Sequence, residues 1–219
     1  MNKRYFNNKK NFGNKRHSSS KSWFNYLLAL QLTLVFAVPV RSVAQNKIQE
    51  LDERILISMS EHRTPEKTGF FLFVSKYNTA VNLAVPAGLL AGGVIGSDKT
   101  MRQNSLYVFS STAINFGFNN LLKVIFKRKR PFNANVNIHA VYQPGGYSFP
   151  SGHASSSFTT ATALSQAYSK WYVIAPAYLW AGSVSYSRLY LGVHNPSDVV
   201  VGAMTGAGTA LSLRFMRPD

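Results

Sequence analysis

The sequence predicts an all-α fold, a bundle of about six membrane-associated helices, and three observations support this class. Five apolar stretches have lengths that suit helices better than strands. None of them sustains the apolar–polar alternation that a half-buried strand shows. Glycine, proline and asparagine mark turns between them. The stretches are residues 70–95, 106–126, 154–168, 171–186 and 199–215.

Residues 1–22 form a basic arm that precedes every apolar segment. The arm contains seven lysines and arginines of a chain with net charge +16, and no acid occurs before Glu50. Because a segment rich in asparagine, serine and lysine cannot bury apolar surface, we expect the arm to be disordered. A nucleic-acid partner would suit the charge, but the arm has no folded reading module, so we predict no nucleic-acid partner.

Residues 23–44 form an apolar segment with a basic flank before it. The run from Trp23 to Val40 is uncharged, and Ser42-Val43-Ala44 resembles a signal-peptide cleavage site. An export signal and an uncleaved first membrane helix both remain open. Both interpretations place the residues that follow across the membrane. The chain has no cysteine, which excludes disulfides and thiolate metal sites and is compatible with an oxidising compartment.

Residues 45–67 are polar with spaced isoleucine, leucine and methionine, which predicts an amphipathic connector formed by one helix or two short ones. Residues 68–219 are predicted to form one domain. The second apolar stretch contains Asn115, Asn119 and Asn120, and stretch 154–168 is rich in hydroxyl groups. These polar residues would face the interior of a membrane bundle, or solvent in a soluble one. The many small residues favour the membrane arrangement, because they allow close helix packing in lipid.

Three polar clusters lie between residues 123 and 198, and a crossing pattern predicts that they share one face. The first is Lys123 with Arg130-Pro131, the second is Pro150-Ser151-Gly152-His153, and the third is Ser187-Arg188 with His194 and Asp198. The basic N-terminus is taken as cytoplasmic. If each apolar stretch crosses once, the chain exits at residue 45, returns near 99–102, exits near 123–131, returns around 170 and emerges at residue 194. The clusters then face outward, which predicts a bacterial inner-membrane protein with a periplasmic site. The basic run 127–130 contradicts the charge rule unless it binds an anion.

The first and third clusters supply cations suited to phosphate oxygens. Lys123 and Arg130 are seven residues apart, so they share a helix face if the helix continues to Pro131. Arg188 adds a planar fork that can bind phosphate with two hydrogen bonds.

The second cluster, Ser151-Gly152-His153, is predicted to open a helix after Pro150. A helix N-terminus presents free amides and the positive end of the helix dipole, which together attract anions. Gly152 would let a phosphate approach the backbone. Ser151 has two interpretations: a plain helix cap, or a hydrogen-bond donor to an anion.

The last cluster contains the only carboxylate between Lys99 and Pro218, which is Asp198. We predict a helix start with Asn195 at the N-cap and Asp198 in its first turn. Asp198 could bond back to the cap. It could also accept a hydrogen bond from His194 and fix the tautomer of that imidazole.

In their order and spacing these clusters resemble the signature of the type 2 phosphatidic acid phosphatase (PAP2) superfamily over residues 68–216. The resemblance implies the helical fold of these phosphatases and vanadium haloperoxidases, with no metal or cofactor. His194 would attack phosphorus to give a phosphohistidine, Asp198 would orient it, and His153 would protonate the leaving oxygen. The implied phosphate-binding residues are Lys123, Arg130, Ser151, Gly152 and Arg188.

Three functions remain open on these grounds. The first is an embedded phosphatase acting on a phosphorylated lipid, such as undecaprenyl pyrophosphate, phosphatidylglycerol phosphate, phosphatidate or the phosphate of lipid A. The second is a soluble exported acid phosphatase for small phosphomonoesters, and the third is a vanadate-dependent haloperoxidase. The residues do not select the substrate or an oligomeric state.

Overall fold

The protein is described here by a computed structural model that covers residues 43–217. The predicted basic arm 1–22 and all but the last two residues of the predicted segment 23–44 lie outside the described residues. The helices are α1 Val43–Glu61, α2 Pro65–Ile95, α3 Lys99–Phe126, α4 Pro131–Ala134, α5 Gly152–Ala167, α6 Trp171–Tyr190 and α7 Pro196–Ser212, followed by a 3₁₀ turn Arg214–Met216.

The all-α prediction is confirmed, since residues 43–217 contain no strand. Each of the five predicted apolar stretches overlaps one long helix. The polar segment predicted as a connector forms the single helix α1 and the turn that leads into α2. Helix α2 begins with a side-chain cap, since the Thr64 side chain accepts a hydrogen bond from the Lys67 amide at 3.3 Å and Pro65 opens the helix.

The prediction that α3 continues to Pro131 is wrong. The helix ends at Phe126, and Lys127 then takes a φ of 47° in the left-handed region. Proline holds Arg130 in an extended conformation, with φ −70° and ψ 153°. Arg128 meanwhile turns toward carboxylates on two other helices. Lys123 therefore points from a helix and Arg130 from an extended segment, so they do not share a helix face.

Helix α5 lies at the centre of the bundle and packs against α3, α6 and α7. Two glycines of α7 allow the closest approach. A Cβ atom on Gly206 would lie 2.1 Å from the carbonyl oxygen of Ser155, and one on Gly202 would lie 2.6 Å from that of Ser151. Small residues therefore set the spacing of α5 and α7 and bring their N-termini together.

Polar side chains face the interior of the bundle. The Asn82 amide donates to Asn78 at 3.2 Å and to the hydroxyl of Ser156 on α5 at 3.0 Å. Ser155 donates to Asn115 of α3 at 2.7 Å. Such bonds satisfy buried polar groups across helices, as polar residues in membrane bundles do. Asn119 is buried too, whereas Asn120 is exposed.

The outer surface carries large apolar side chains on several helices. Phe116 is 69% exposed and Leu179 is 71% exposed. Pro65–Ile95 and Pro196–Met216 are the two helical segments in the described part of the chain that are long and apolar enough to cross a membrane. An apolar exterior around a polar interior is the pattern expected when lipid surrounds a bundle.

The contact between α5 and α7 gives a test of this packing. We expect Gly206→Ala to destabilise the protein by about 1–3 kcal/mol, because the added methyl group meets a backbone carbonyl that cannot rotate away. Each kcal/mol should lower Tm in detergent by roughly 2–4 °C. The control is Gly182→Ala on α6, whose Cβ meets no atom within 4 Å. Equal melting temperatures for the two variants would contradict the close packing.

Candidate active site

The predicted clusters meet at one end of the bundle, where α3 and α6 end and α5 and α7 begin. The Ser151 amide donates to the carbonyl oxygen of Asp198 at 3.0 Å, which joins the first turns of α5 and α7. Nη1 of Arg130 lies 3.4 Å from Nε2 of His194, which joins the segment after α3 to the loop before α7. Residues far apart in the chain therefore share one site.

Three cations at this end have no carboxylate within ion-pair distance in residues 43–217: Lys123, Arg130 and Arg188. Lys123 Nζ donates only to the carbonyl oxygen of Tyr147, at 2.7 Å. Lys123 interacts electrostatically with Arg130, Asp198 and Arg188. Because Arg130 and Arg188 are buried and Lys123 is half-buried, and buried charges need a counter-charge, the arrangement favours a bound anion.

Arg188 is the largest fully buried side chain among the described residues. Its Nη1 donates to the Tyr142 hydroxyl at 2.8 Å and to the Ser75 hydroxyl, both neutral acceptors. Its Nε has no hydrogen-bond partner among residues 43–217. Arg188 is thus held in place with a donor to spare for an anion.

Arg130 fixes the geometry of the loops around the site. It donates to the carbonyl oxygens of Gly145 at 2.9 Å, Gly146 at 3.1 Å and Val193 at 2.9 Å. Burial lowers the pKa of Arg130, and the charge of Arg188 lowers it further. A guanidinium remains charged despite such a shift. Arg130 therefore holds a positive charge beside Nε2 of His194.

The start of α5 supplies the second cluster. Ser151 occupies the N-cap position, but its side chain makes no capping bond, so the plain-cap interpretation fails. Its buried Oγ has no partner within the described part of the chain and can donate to an anion. A Cβ atom on Gly152 would lie 3.4 Å from Asn119 Oδ1, which is ordinary contact distance. The protein itself therefore does not require glycine there, and a close phosphate remains a prediction.

His153 lines a cavity of about 330 Å³ with Tyr142, Ser75, Lys76 and Leu72. The cavity opens between α2 and the loop before α5. Its walls combine a histidine, two hydroxyl groups and an exposed lysine with one leucine. A substrate that entered here would meet His153 beside Arg188.

The Ser148 side chain lies between the ring of His194 and the carboxylate of Asp198. Nδ1 of His194 lies 3.7 Å from Oδ2 of Asp198, which is too long for a hydrogen bond. The Ser148 hydroxyl donates to the same Oδ2 at 2.5 Å and lies 3.4 Å from Nδ1. Asp198 and Ser148 therefore place acceptors on the Nδ1 side of the ring, while Nε2 faces Arg130.

Asp198 is fully buried and has partners for both carboxylate oxygens. Oδ2 accepts from the Asn195 amide at 2.9 Å, so the predicted cap bond is present. Oδ1 accepts from Arg128 Nη1 at 2.6 Å. The carboxylate thus caps α7 and faces His194 at once, and the two interpretations of Asp198 do not exclude each other.

The sequence did not predict several residues that complete the site. Ser75 and Tyr142 accept hydrogen bonds from Arg188, and Ser148 donates to Asp198. Arg128 pairs with Asp52 and Asp198. The solitary acid Asp198 indicated that a cation must pair with it, but not that this cation is Arg128. In the described part of the chain no group of three His, Asp or Glu side chains could hold a metal ion.

Comparison with known proteins shows the family to which this chain belongs. The model of the PAP2 superfamily matches residues 104–218, just over half of the chain. An undecaprenyl-diphosphatase of Sulfolobus acidocaldarius is 28% identical over 186 residues, 84% of this chain and 87% of that protein. A lipid A 4'-phosphatase of Bacteroides thetaiotaomicron is 40% identical over 94 residues, and the match spans 42% of its length. The predicted resemblance is confirmed.

Two solved structures share the fold. A transmembrane PAP2-type phosphatidylglycerolphosphate phosphatase from Bacillus subtilis superposes with a TM-score of 0.67 at 21% identity, covering 88% of this chain and 94% of its own. LpxE of Aquifex aeolicus gives 0.57 at 25% identity, covering 73% and 92%. The helical architecture is therefore that of known phosphatases, including a transmembrane one.

The buried ring of His194 gives a test of the site's electrostatics. Burial lowers its pKa to about 3, with Asp198 opposing and Arg188 and Arg130 adding to the shift. The folded pKa lies below the ordinary value, so we expect the ring to stay neutral from pH 8 down to about pH 4. Ring-nitrogen NMR of histidine-labelled protein, assigned with His194→Gln, measures this. A titration midpoint near pH 6.5 would contradict the described environment.

Proposed function

This chain belongs to the PAP2 superfamily and is a phosphatase, and we propose that it hydrolyses a phosphate monoester or pyrophosphate of a lipid through a phosphohistidine. The observation that carries the proposal is the set of Lys123, Arg130 and Arg188, which gather without carboxylate partners, within residues 43–217, at the end of the bundle that holds His194. The printed names of two relatives specify lipid phosphates and support this substrate class.

Phosphate binding would use the three cations with the free donors of the second cluster. Oγ of Ser151 and Nε of Arg188 have no partner among the described residues, so neither loses a protein hydrogen bond when it turns to a ligand. The Gly152 amide at the start of α5 would add a backbone donor. Preorganised donors of this kind stabilise charge that develops on phosphate oxygens in the transition state.

Nucleophilic attack would come from Nε2 of His194. The neutral ring keeps a lone pair on Nε2 when Nδ1 holds the proton, and Asp198 and Ser148 favour that tautomer. The Nε2–phosphorus bond forms while the bond from phosphorus to the leaving oxygen breaks. Arg130, 3.4 Å from Nε2, would bind a phosphate oxygen as the group moves.

Protonation of the leaving oxygen would fall to His153, which lines the cavity beside Tyr142. A bound phosphate dianion favours the protonated imidazole before reaction. After giving up its proton, His153 takes one from the attacking water. Water then forms a new oxygen–phosphorus bond, the nitrogen–phosphorus bond breaks, and phosphate and free His194 result.

We further propose that the site faces the periplasm from a bacterial inner membrane. Support comes from the basic residues 1–22, which favour a cytoplasmic N-terminus. The turns 96–98 and 168–170 lie at the bundle end opposite the site, as alternate crossing requires. Exposed apolar side chains around the polar interior suit a lipid environment and a lipid substrate.

The substrate is tested by phosphate release from purified protein in detergent. The panel contains undecaprenyl diphosphate, phosphatidylglycerol phosphate, phosphatidate, lipid A and soluble p-nitrophenyl phosphate. We expect one lipid to be hydrolysed with kcat/KM at least about tenfold above the soluble ester, because remote binding energy assists the chemical step. His194→Ala should lower kcat by at least about a thousandfold, and His139→Ala, in an exposed loop position, should not.

Two results would contradict these assignments separately. Comparable turnover by His194→Ala would refute the nucleophile. A preference for p-nitrophenyl phosphate over every lipid would favour the alternative function, an exported acid phosphatase that acts on small phosphomonoesters.

Membrane placement is tested with single cysteines, since the chain has none. We expect carbonate washing to leave the protein in the membrane. An impermeant maleimide should label Asn137→Cys, in the loop at the site end, in intact spheroplasts. Ser169→Cys, in the turn at the opposite end, should react only after permeabilisation. The reverse pattern would refute the periplasmic site, and release by carbonate would refute embedding.

A further inference from the structure

Asp52 of α1 is a buried acid that none of the three clusters includes. Its side chain is 3% exposed. It lies outside the residues that match the superfamily model, 104–218. Buried carboxylates are costly unless they are paired and hydrogen-bonded, so the partners of Asp52 indicate what it does.

Those partners all belong to the candidate active site. Oδ2 of Asp52 pairs with Nη2 of Arg128 at 3.0 Å. Oδ1 accepts from the Ser197 amide at 3.0 Å, and Oδ2 also accepts from the Ser197 hydroxyl. Arg128 Nη1 in turn donates to the Ser197 hydroxyl at 2.7 Å and to Asp198 Oδ1 at 2.6 Å. One guanidinium therefore bridges two carboxylates from different helices.

The Arg128 guanidinium, which bridges Asp52 and Asp198, determines the orientation of the Asp198 carboxylate. Arg128 holds Oδ1, which leaves Oδ2 toward Ser148 and the ring of His194. A guanidinium has a fixed planar fork, so its second arm must be held if the first is to keep its direction. Asp52 holds that second arm and also accepts from an amide in the first turn of α7, which carries Asp198.

We propose that Asp52 and Arg128 are positioning residues that orient the Asp198 carboxylate toward His194, an inference that rests on the proposed function. Helix α1 then forms part of the catalytic unit. Neither residue need touch the substrate. Loss of Asp52 frees the Arg128 fork and the first turn of α7, and Oδ2 of Asp198 moves relative to Nδ1 of His194. Small displacements of this kind reduce the rate of the chemical step more than they reduce substrate binding.

The test measures phosphate release by the full chain in detergent from the panel member that it hydrolyses fastest. We expect Asp52→Asn to lower kcat about ten- to a hundredfold, as the loss of an orienting partner does elsewhere. KM should change by less than about threefold, because the phosphate-binding cations are untouched. Arg128→Lys should lower kcat similarly, since an ammonium lacks the fork.

Glu53→Gln is the matched control. It also removes a carboxylate from α1 and alters a hydrogen bond to Asn135, but it touches neither Arg128 nor Ser197. Its kcat should stay within about twofold of the wild type. If Glu53→Gln lowers kcat as much as Asp52→Asn, or if Arg128→Lys keeps wild-type kcat, the positioning role is refuted.

A double-mutant cycle separates positioning from general support of the fold. In an Asp198→Asn background, Asp52→Asn should change kcat by less than about twofold, because the carboxylate to be aimed is gone. An equal loss of kcat in both backgrounds would overturn the proposal.

Ring-nitrogen NMR of His194 tests the same idea without turnover. Asp52→Asn should move the Nδ1 and Nε2 resonances and Glu53→Gln should not, and unchanged resonances in Asp52→Asn would overturn the positioning role. If the wild type hydrolyses no panel member, the proposed function fails and this spectrum alone decides the inference.

Discussion

The active-site end of the structure depends on one ion pair, between the buried Asp198 carboxylate and Arg128. Asp198 is the only acid between residues 99 and 218, and it lies with no solvent exposure in the first turn of α7. Its carbonyl oxygen accepts from the start of α5, Oδ2 accepts from Asn195 and Ser148, and Oδ1 accepts from Arg128. An ionised group in such a place must be fully paired, so each neighbour is constrained in position.

The pairing of charges also distinguishes the cations of the site from one another. Arg128 is neutralised by two carboxylates, whereas Lys123, Arg130 and Arg188 have neutral acceptors only, among the residues described. The site therefore contains one cation paired with carboxylates, which is Arg128. Its other three cations have no carboxylate partner among the residues described and can bind an anion. Polar side chains of α2, α3 and α5 bond to each other in the interior, and apolar side chains cover the outside.

Much of the fold and site could be predicted because the signals are local. Apolar stretches of helical length identified five helices, and turn residues identified their limits to within a few positions. The end of α3 was the exception. Helical spacing suggested that Lys123 and Arg130 share a helix face, but Lys127 takes a left-handed conformation and Arg130 follows in extended backbone. Residues 127–130 are all cationic, and the local sequence does not indicate which of them pairs with an acid far away in the chain.

Local sequence patterns are enough to predict the helical class, the superfamily and the residue types of the site, because each of these depends on spacing within one helix or one turn. The position of Ser148 between His194 and Asp198, and the contact of Asp52 with Arg128 from 76 positions away, follow from how the helices pack. Pairing at that separation depends on how α1, α3 and α7 pack together. No local pattern distinguishes Asp52 from the other acids of α1, since what marks it is burial against a partner elsewhere in the fold.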